Sequence, residues 1–197
     1  MEQKRKLEKS LEEGQRILVD LDFAHLMTAT EIKSIVQQLL FCYGVNARAS
    51  IPCHLIFSSI DGAVKDAINR QIPSFDTWKV TQSPLPYMQL LQEDKQHIVY
   101  LTADSPHEIQ ELDPKKVYIV GGLVDRNRHK GVCLKKAEEQ GIQTARLPIG
   151  QYIQLASSQV MCTNHAVEML IRWCEVRDWE QAFKSVVPDR KRKHPAQ

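Results

Sequence analysis

Apolar positions recur along this chain in two rhythms. Short unbroken apolar runs alternate with stretches in which apolar residues fall three and four apart. The first rhythm reads as buried strand and the second as amphipathic helix. Arg16-Ile17-Leu18-Val19-Asp20-Leu21, Cys53 to Phe57, Ile98 to Thr102, Val117 to Val120 and Gln143 to Leu147 are runs of the first kind. Trp78-Lys79-Val80 is a candidate for a further strand. Helical spacing covers residues 2–13, then Ile32, Ile35, Val36, Leu39, Leu40 and Tyr43, then 61–70 and Leu134 to Gln140. It returns over Asn164 to Glu175, through Val167, Leu170, Ile171 and Cys174, and over Asp178 to Val187.

Punctuation sharpens these elements. Gly14 stops the first helix, whose Leu7 and Leu11 give too little apolar face for core. Thr28 and Glu31 have the spacing of a capping box, and the helix they open is expected to end at Gly44. Ser105-Pro106 is expected to start another helix, with Glu108 completing a second capping box. Strands alternating with helices predict an α/β fold, a parallel sheet with helices on both faces. Ligands of such sheets sit beyond the carboxyl ends of the strands. Those ends carry Asp20, Asp22, Thr102, Asp104, Gly121, Gly122, Asp125 and Pro148.

Composition narrows the class. The 197 residues are 43% apolar and 25% charged, enough to build one core. Disorder is excluded for most of the chain, and no apolar run approaches the ~20 residues of a membrane-spanning helix. Five cysteines, without a C-x-x-C pair, argue against a zinc site or a disulfide framework. They predict reduced thiols in the cytoplasm or nucleus, and the first residues lack the apolar stretch of a signal peptide. The seven histidines show no ligand spacing, and the three tryptophans read as core.

The formal charge of +2 conceals two basic segments. Between Asp125 and Lys136 stand Arg126, Arg128, Lys130, Lys135 and Lys136 against one acid. Arg190, Lys191, Arg192 and Lys193 stand in the tail against Asp189. Such patches suit a polyanion.

No dinucleotide fingerprint, P-loop, G-x-S-x-G or H-E-x-x-H is present. The informative stretch is Tyr118-Ile119-Val120-Gly121-Gly122-Leu123-Val124-Asp125-Arg126-Asn127-Arg128-His129-Lys130-Gly131. A glycine pair at a strand end would let a flat ligand approach the backbone. Asp125 would act on the ligand's partner, and the flanking cations would grip phosphate. A rival reading gathers Asp20, Asp22, Asp104 and Asp125 around Mg²⁺ for nuclease chemistry. Against it, Asp104 most simply serves a helix N-terminus, and no metal site is expected.

With those residues in view, the chain resembles a known family. Tyr100-Leu101-Thr102-Ala103-Asp104-Ser105-Pro106, the stretch from Tyr118 to Lys130, and Thr144-Ala145-Arg146-Leu147-Pro148-Ile149 look like its signature blocks. Val19-Asp20-Leu21-Asp22, His25-Leu26-Met27 and Cys42-Tyr43 match its opening, and Asn164-His165 with Arg177-Asp178-Trp179 match its close. The family is that of the tRNA purine-nine N1-methyltransferases, in the SPOUT superfamily. The resemblance implies a Rossmann-like sheet with a C-terminal trefoil knot. It implies S-adenosylmethionine as cofactor and S-adenosylhomocysteine as product. The cofactor would be bound by Leu101, Thr102, Gly121, Gly122, Asp125, Arg126, Asn127, Arg128, His129, Cys133, Leu147, Pro148, Val160 and Met161.

Asp125 matches the proposed base, which would take the N1 proton of guanine nine in tRNA. On that view Asp125→Asn cuts turnover and spares cofactor affinity. Arg126, Arg128, Lys130, Lys135, Lys136 and Arg48 would hold the tRNA, and the protein would be a monomer. Asn46-Ala47-Arg48 departs from the family's Asn-Arg-Arg. A short mixed-charge helix stands where the family has a long lysine-rich arm, so either the arm lies outside these residues or the grip on RNA is weaker. The chain divides into a helical remnant (1–14), the methyltransferase domain (15–187) and a basic tail (188–197). A non-enzymatic RNA-binding module of the same fold stays open as an alternative, as does the Mg²⁺ nuclease.

Overall fold

A computed structural model of the chain describes residues 1–155, 161–189 and 192. In chain order it contains α1 (Glu2–Glu13), β1 (Arg16–Asp20), α2 (Ala29–Arg48), β2 (His54–Ser58), α3 (Gly62–Gln71) and β3 (Thr81–Gln82). There follow α4 (Tyr87–Leu90), β4 (Ile98–Leu101), β5 (Val117–Gly121), α5 (Val132–Glu139), β6 (Gln143–Ala145), α6 (Ile149–Tyr152), α7 (Thr163–Val176) and α8 (Trp179–Val186). The six strands form one sheet, in the order β3-β2-β1-β5-β4-β6, and every pairing is parallel. The expected parallel α/β sheet is therefore present. Tracing the expected trefoil knot requires residues 156–160, which lie outside the described residues.

Alternation along each strand splits the core in two. Ile17, Val19, Leu21, Val99, Leu101, Tyr118 and Val120 join a large cluster with residues of α2, α3, α7 and α8. Leu18, Ile98, Tyr100, Val117 and Ile119 point the other way, toward Tyr87 of α4 and Ala137 of α5. Successive strand residues face opposite sides, so short all-apolar runs feed both clusters. Trp78, Trp173 and Trp179 belong to the larger cluster, as their sequence context suggested.

Four local expectations fail for identifiable reasons. The helix opened by Thr28 has both hydrogen bonds of its capping box but runs through Gly44 to Arg48. Asn46 is fully buried there and exchanges amide bonds with Cys53 N and O (2.7 and 2.8 Å). That tertiary pairing outweighs the roughly 1 kcal/mol a helical glycine costs. Trp78 follows a 3-10 turn, and the strand falls instead at Thr81–Gln82.

Ser105-Pro106 starts no helix. The Ser105 hydroxyl bonds Thr144 Oγ1 (2.9 Å) and receives His107 N–H (3.2 Å), and Glu108 bridges Arg146 in parallel beside β6. A side chain already engaged by backbone and sheet edge cannot cap. Finally, α1 does contribute to the core. Its Leu7 is buried, and Gln3 donates to the carbonyl of Ala49.

Candidate active site at the strand ends

Beyond the carboxyl ends of β4, β5 and β6 lies an open cleft. Four segments build it. Thr102 N–H donates to Ala145 O (2.9 Å), tying the loop after β4 to β6. Arg146 supports that loop from below, donating from Nη1 to Ser105 O (2.8 Å) with Nε 3.4 Å from Glu108. The turn after β6 supplies Leu147 and Ile149. The start of α7 closes the cleft, with Thr163 Oγ1 donating to Gly121 O (2.8 Å).

The fourth segment is the loop after β5. Asp125 is 8% exposed, and its two carboxylate oxygens accept separate backbone amides: Asn127 N–H at 2.9 Å and His129 N–H at 2.7 Å. Arg126 and Asn127 both adopt left-handed backbone, with φ of 52° and 62°. Consecutive left-handed residues that are not glycine are costly alone. Here the carboxylate collects the amides they present and holds the loop. One lone pair on each oxygen remains for an outside donor.

Of the residues expected to bind a cofactor, Leu101, Thr102, Gly121, Asp125, Asn127, His129, Cys133, Leu147 and Met161 line the cleft. Gly122, Arg126, Arg128 and Pro148 do not stand among the lining residues, and Val160 lies outside the described residues. Asp104, Arg146, Thr163 and Ala166 also line it and were not among the expected cofactor residues, although Asp104 was expected at the strand ends. Arg146 and Asp104 stood inside quoted motifs, so a reading of charged motif residues would have reached them. Burial pushes the Cys133 thiol up to about 11, so it faces the cleft as a neutral group.

The two glycines of the pair serve different purposes, and Gly122 departs from the expected one. A Cβ on Gly122 would lie 2.7 Å from Leu21 Cδ2 and 2.8 Å from Asp20 O. Gly122 N–H donates to that same Asp20 O at 2.7 Å. Its missing side chain admits β1, not a ligand. Gly121 does line the cleft, and a Cβ there would meet Cys133 Sγ at 2.6 Å.

The six expected RNA-holding cations separate sharply. Arg126 and Lys130 are exposed beside the cleft. Arg128 pairs with Glu31 at 2.7 Å and holds that carboxyl below its ordinary value. Lys135 is exposed, 3.8 Å from Glu139. Lys136 points inward to Asp20 (2.7 Å) and Asp22 (3.3 Å) and is corrected from an outward-facing cation to a half-buried, paired one. Arg48 ends α2, about 25 Å along the helix from Glu31 at 1.5 Å per residue, and does not join the patch. In the tail, Arg192 bonds Val187 O and pairs with Asp189, while the other basic residues lie outside the described residues.

Among the described residues, no three His, Cys, Asp or Glu side chains are placed to hold a metal ion. The carboxylates of Asp20 and Asp22 converge on an ammonium instead.

The sequence matches the family described as tRNA (guanine(9)-N(1))-methyltransferase TRM10/TRM10A over residues 1–192. The chain belongs to this family. It is 37% identical over 177 residues to human "tRNA methyltransferase 10 homolog A", covering 89% of this chain and 52% of the relative. A Schizosaccharomyces pombe "tRNA (guanine(9)-N1)-methyltransferase" is 39% identical over 178 residues, covering 89% and 59%. The chain thus spans little more than half the length of these curated relatives. The solved structure described as "spTrm10(Full length)-SAH complex" superposes with a TM-score of 0.82 at 38% identity, covering 88% of this chain and 94% of that one. A Trm10 structure from Thermococcus kodakaraensis shares the fold, with a TM-score of 0.66 at 18% identity over 87% of this chain and 99% of that one.

Proposed function

We propose that this chain is an S-adenosylmethionine-dependent methyltransferase acting on N1 of guanine nine in tRNA. The observation that carries the reading is Asp125, a buried carboxylate fixed by two backbone amides at the wall of a cleft. Relatives named for this activity, and one solved in complex with SAH, point the same way.

The cleft's chemistry fits that cofactor. Leu101, Val120, Leu123, Leu147, Ile149 and Met161 offer apolar walls for an adenine ring. Thr102, Asp104 and Thr163 offer polar partners for ribose hydroxyls and an amino group. The cofactor, when bound, supplies an electrophilic methyl on a positively charged sulfur.

The chain's own residues then have two tasks. Asp125 accepts the proton that guanine N1 carries at neutral pH, through the lone pairs its loop leaves open. The rigid cleft holds the two reacting groups in line. Adenine N1 carries no such proton, so a carboxylate here favours guanine as substrate. Arg126 and Lys130 face outward beside the cleft and are placed to contact phosphates. Nucleotide nine must leave its stack to reach Asp125, at a few kcal/mol. Five unpaired cysteines support a reducing compartment, the cytoplasm or nucleus.

The test is methyl transfer from labelled cofactor to tRNA transcripts bearing G or A at the ninth position. The expected result is label on the G transcript alone. Equal transfer to A would overturn the guanine preference. Binding of tRNA without any transfer or cofactor binding would replace the enzyme with an RNA-binding module.

A further inference from the structure

Against the cleft wall, next to Gly121 and Cys133, lies a group of charged and phenolic side chains. Asp20 ends β1 and is fully buried. Its Oδ2 accepts the Tyr100 hydroxyl at 2.8 Å and the Lys136 ammonium at 2.7 Å, while Oδ1 accepts Asp22 N–H at 3.2 Å. Lys136 also reaches Asp22 Oδ2 at 3.3 Å and sits over the rings of Phe23 (4.7 Å) and Tyr87 (5.3 Å). Burial and the negative charge of Asp20 push the Tyr100 phenol well up, so it stays a donor.

This group is coupled to the cleft through α5. Cys133 and Lys136 are three apart and share one face of that helix. Cys133 lines the cleft, and the Sγ abuts Gly121, the register partner of Asp20. The helix has few other anchors. It is eight residues long, starts at a left-handed Gly131 without a side-chain cap, and buries one apolar residue, Ala137. A helix this short has little stability of its own.

We propose that Lys136 is a positioning residue for methyl transfer, neutralising Asp20 and so clamping α5 with the cleft wall formed by Gly131, Val132 and Cys133. The inference rests on the reading of the cleft as the cofactor site. Its partners are all within the chain: Asp20 and Asp22 as counter-charges, Tyr100 as second donor, Phe23 and Tyr87 as ring faces. A buried carboxylate stripped of its cation is strongly unfavourable, whereas removal of both charges is tolerated.

The experiment is a double-mutant cycle read by S-adenosylhomocysteine affinity and by amide exchange over residues 131–137. Lys136→Met is expected to weaken S-adenosylhomocysteine about tenfold and to speed exchange in that segment. Lys136→Gln, which keeps one donor, is expected to lose about threefold and serves if the methionine variant does not fold. Lys136→Arg is expected to stay within twofold of the parent. Asp20→Asn combined with Lys136→Met is expected to recover most of both losses, which a role in packing alone would not allow. The proposal is overturned if Lys136→Met and Lys136→Gln match the parent in affinity and exchange. It is equally overturned if the double variant is no better than Lys136→Met. If the parent itself binds no S-adenosylhomocysteine, the methyltransferase reading fails, and the exchange cycle still decides the clamp.

Discussion

Asp20 and Asp125 are both buried carboxylates at the carboxyl edge of the sheet, and they are held in opposite ways. Asp20 has a lysine and a tyrosine side chain on one oxygen and a single long backbone amide, Asp22 N–H, on the other. Asp125 is held by backbone amides, one on each oxygen. The first arrangement compensates the charge and closes the site. The second fixes the group while leaving lone pairs toward the cleft. Side-chain neutralisation makes a structural anion, and amide anchorage makes a usable one.

Breaking the amide anchorage has the largest expected effect. Asp125→Asn replaces one acceptor oxygen by an NH₂ facing a backbone N–H that then has no partner. The substitution therefore removes a base and loosens the 126–131 loop together. Turnover is expected to fall about a hundredfold, the lower range for general acid–base catalysis. The earlier expectation of intact cofactor affinity is revised: S-adenosylhomocysteine binding is expected to weaken several-fold, because Asn127 and His129 line the same cleft. Calorimetry beside single-turnover rates separates the two losses. Unchanged turnover would remove Asp125 from the chemistry.

A second substitution probes how closely the two carboxylate sites are pressed together. Gly122→Ala drives a Cβ against the carbonyl of Asp20 and against Leu21. Backbone cannot yield as a flexible side chain can, so about 1–3 kcal/mol of stability is expected to be lost. Gly121→Ala meets the end of a side chain, Cys133 Sγ, instead. It is expected to cost less stability and to obstruct the cleft. Thermal unfolding with and without S-adenosylhomocysteine distinguishes them. Equal destabilisation would show that both glycines serve packing alone.

The contrast also marks what the sequence could disclose. Parallel strands buried on both faces leave unbroken apolar runs, so β1, β2, β4, β5 and the sheet class were legible. The capping box at Thr28 was legible because its partners lie three apart. Ser105 and Glu108 had the same spacing and failed, because their partners Thr144 and Arg146 are far along the chain. Lys136 was misread for that reason: nothing local ties it to Asp20, 116 residues away. Asp125 and the cleft-lining Gly121 were found because one contiguous motif carries them. The packing purpose of Gly122 depended on β1 and was hidden.

The smallest effect separates outward cations from the inward one. Each phosphate contact steepens the dependence of binding on salt, by close to one unit of log–log slope per cation. Arg126→Ala and Lys130→Ala, both exposed beside Asp125, are each expected to lower the slope of tRNA binding by about one. Arg128→Ala is expected to lower it less, since Glu31 already neutralises that guanidinium. Lys136→Gln is expected to leave the slope unchanged, because the ammonium lies against Asp20 and two aromatic rings. Filter binding of one tRNA across a salt series measures all four. A slope lowered by Lys136→Gln as much as by Arg126→Ala would place Lys136 on the RNA, and the division between a sealed Asp20 and an accessible Asp125 would fall with it.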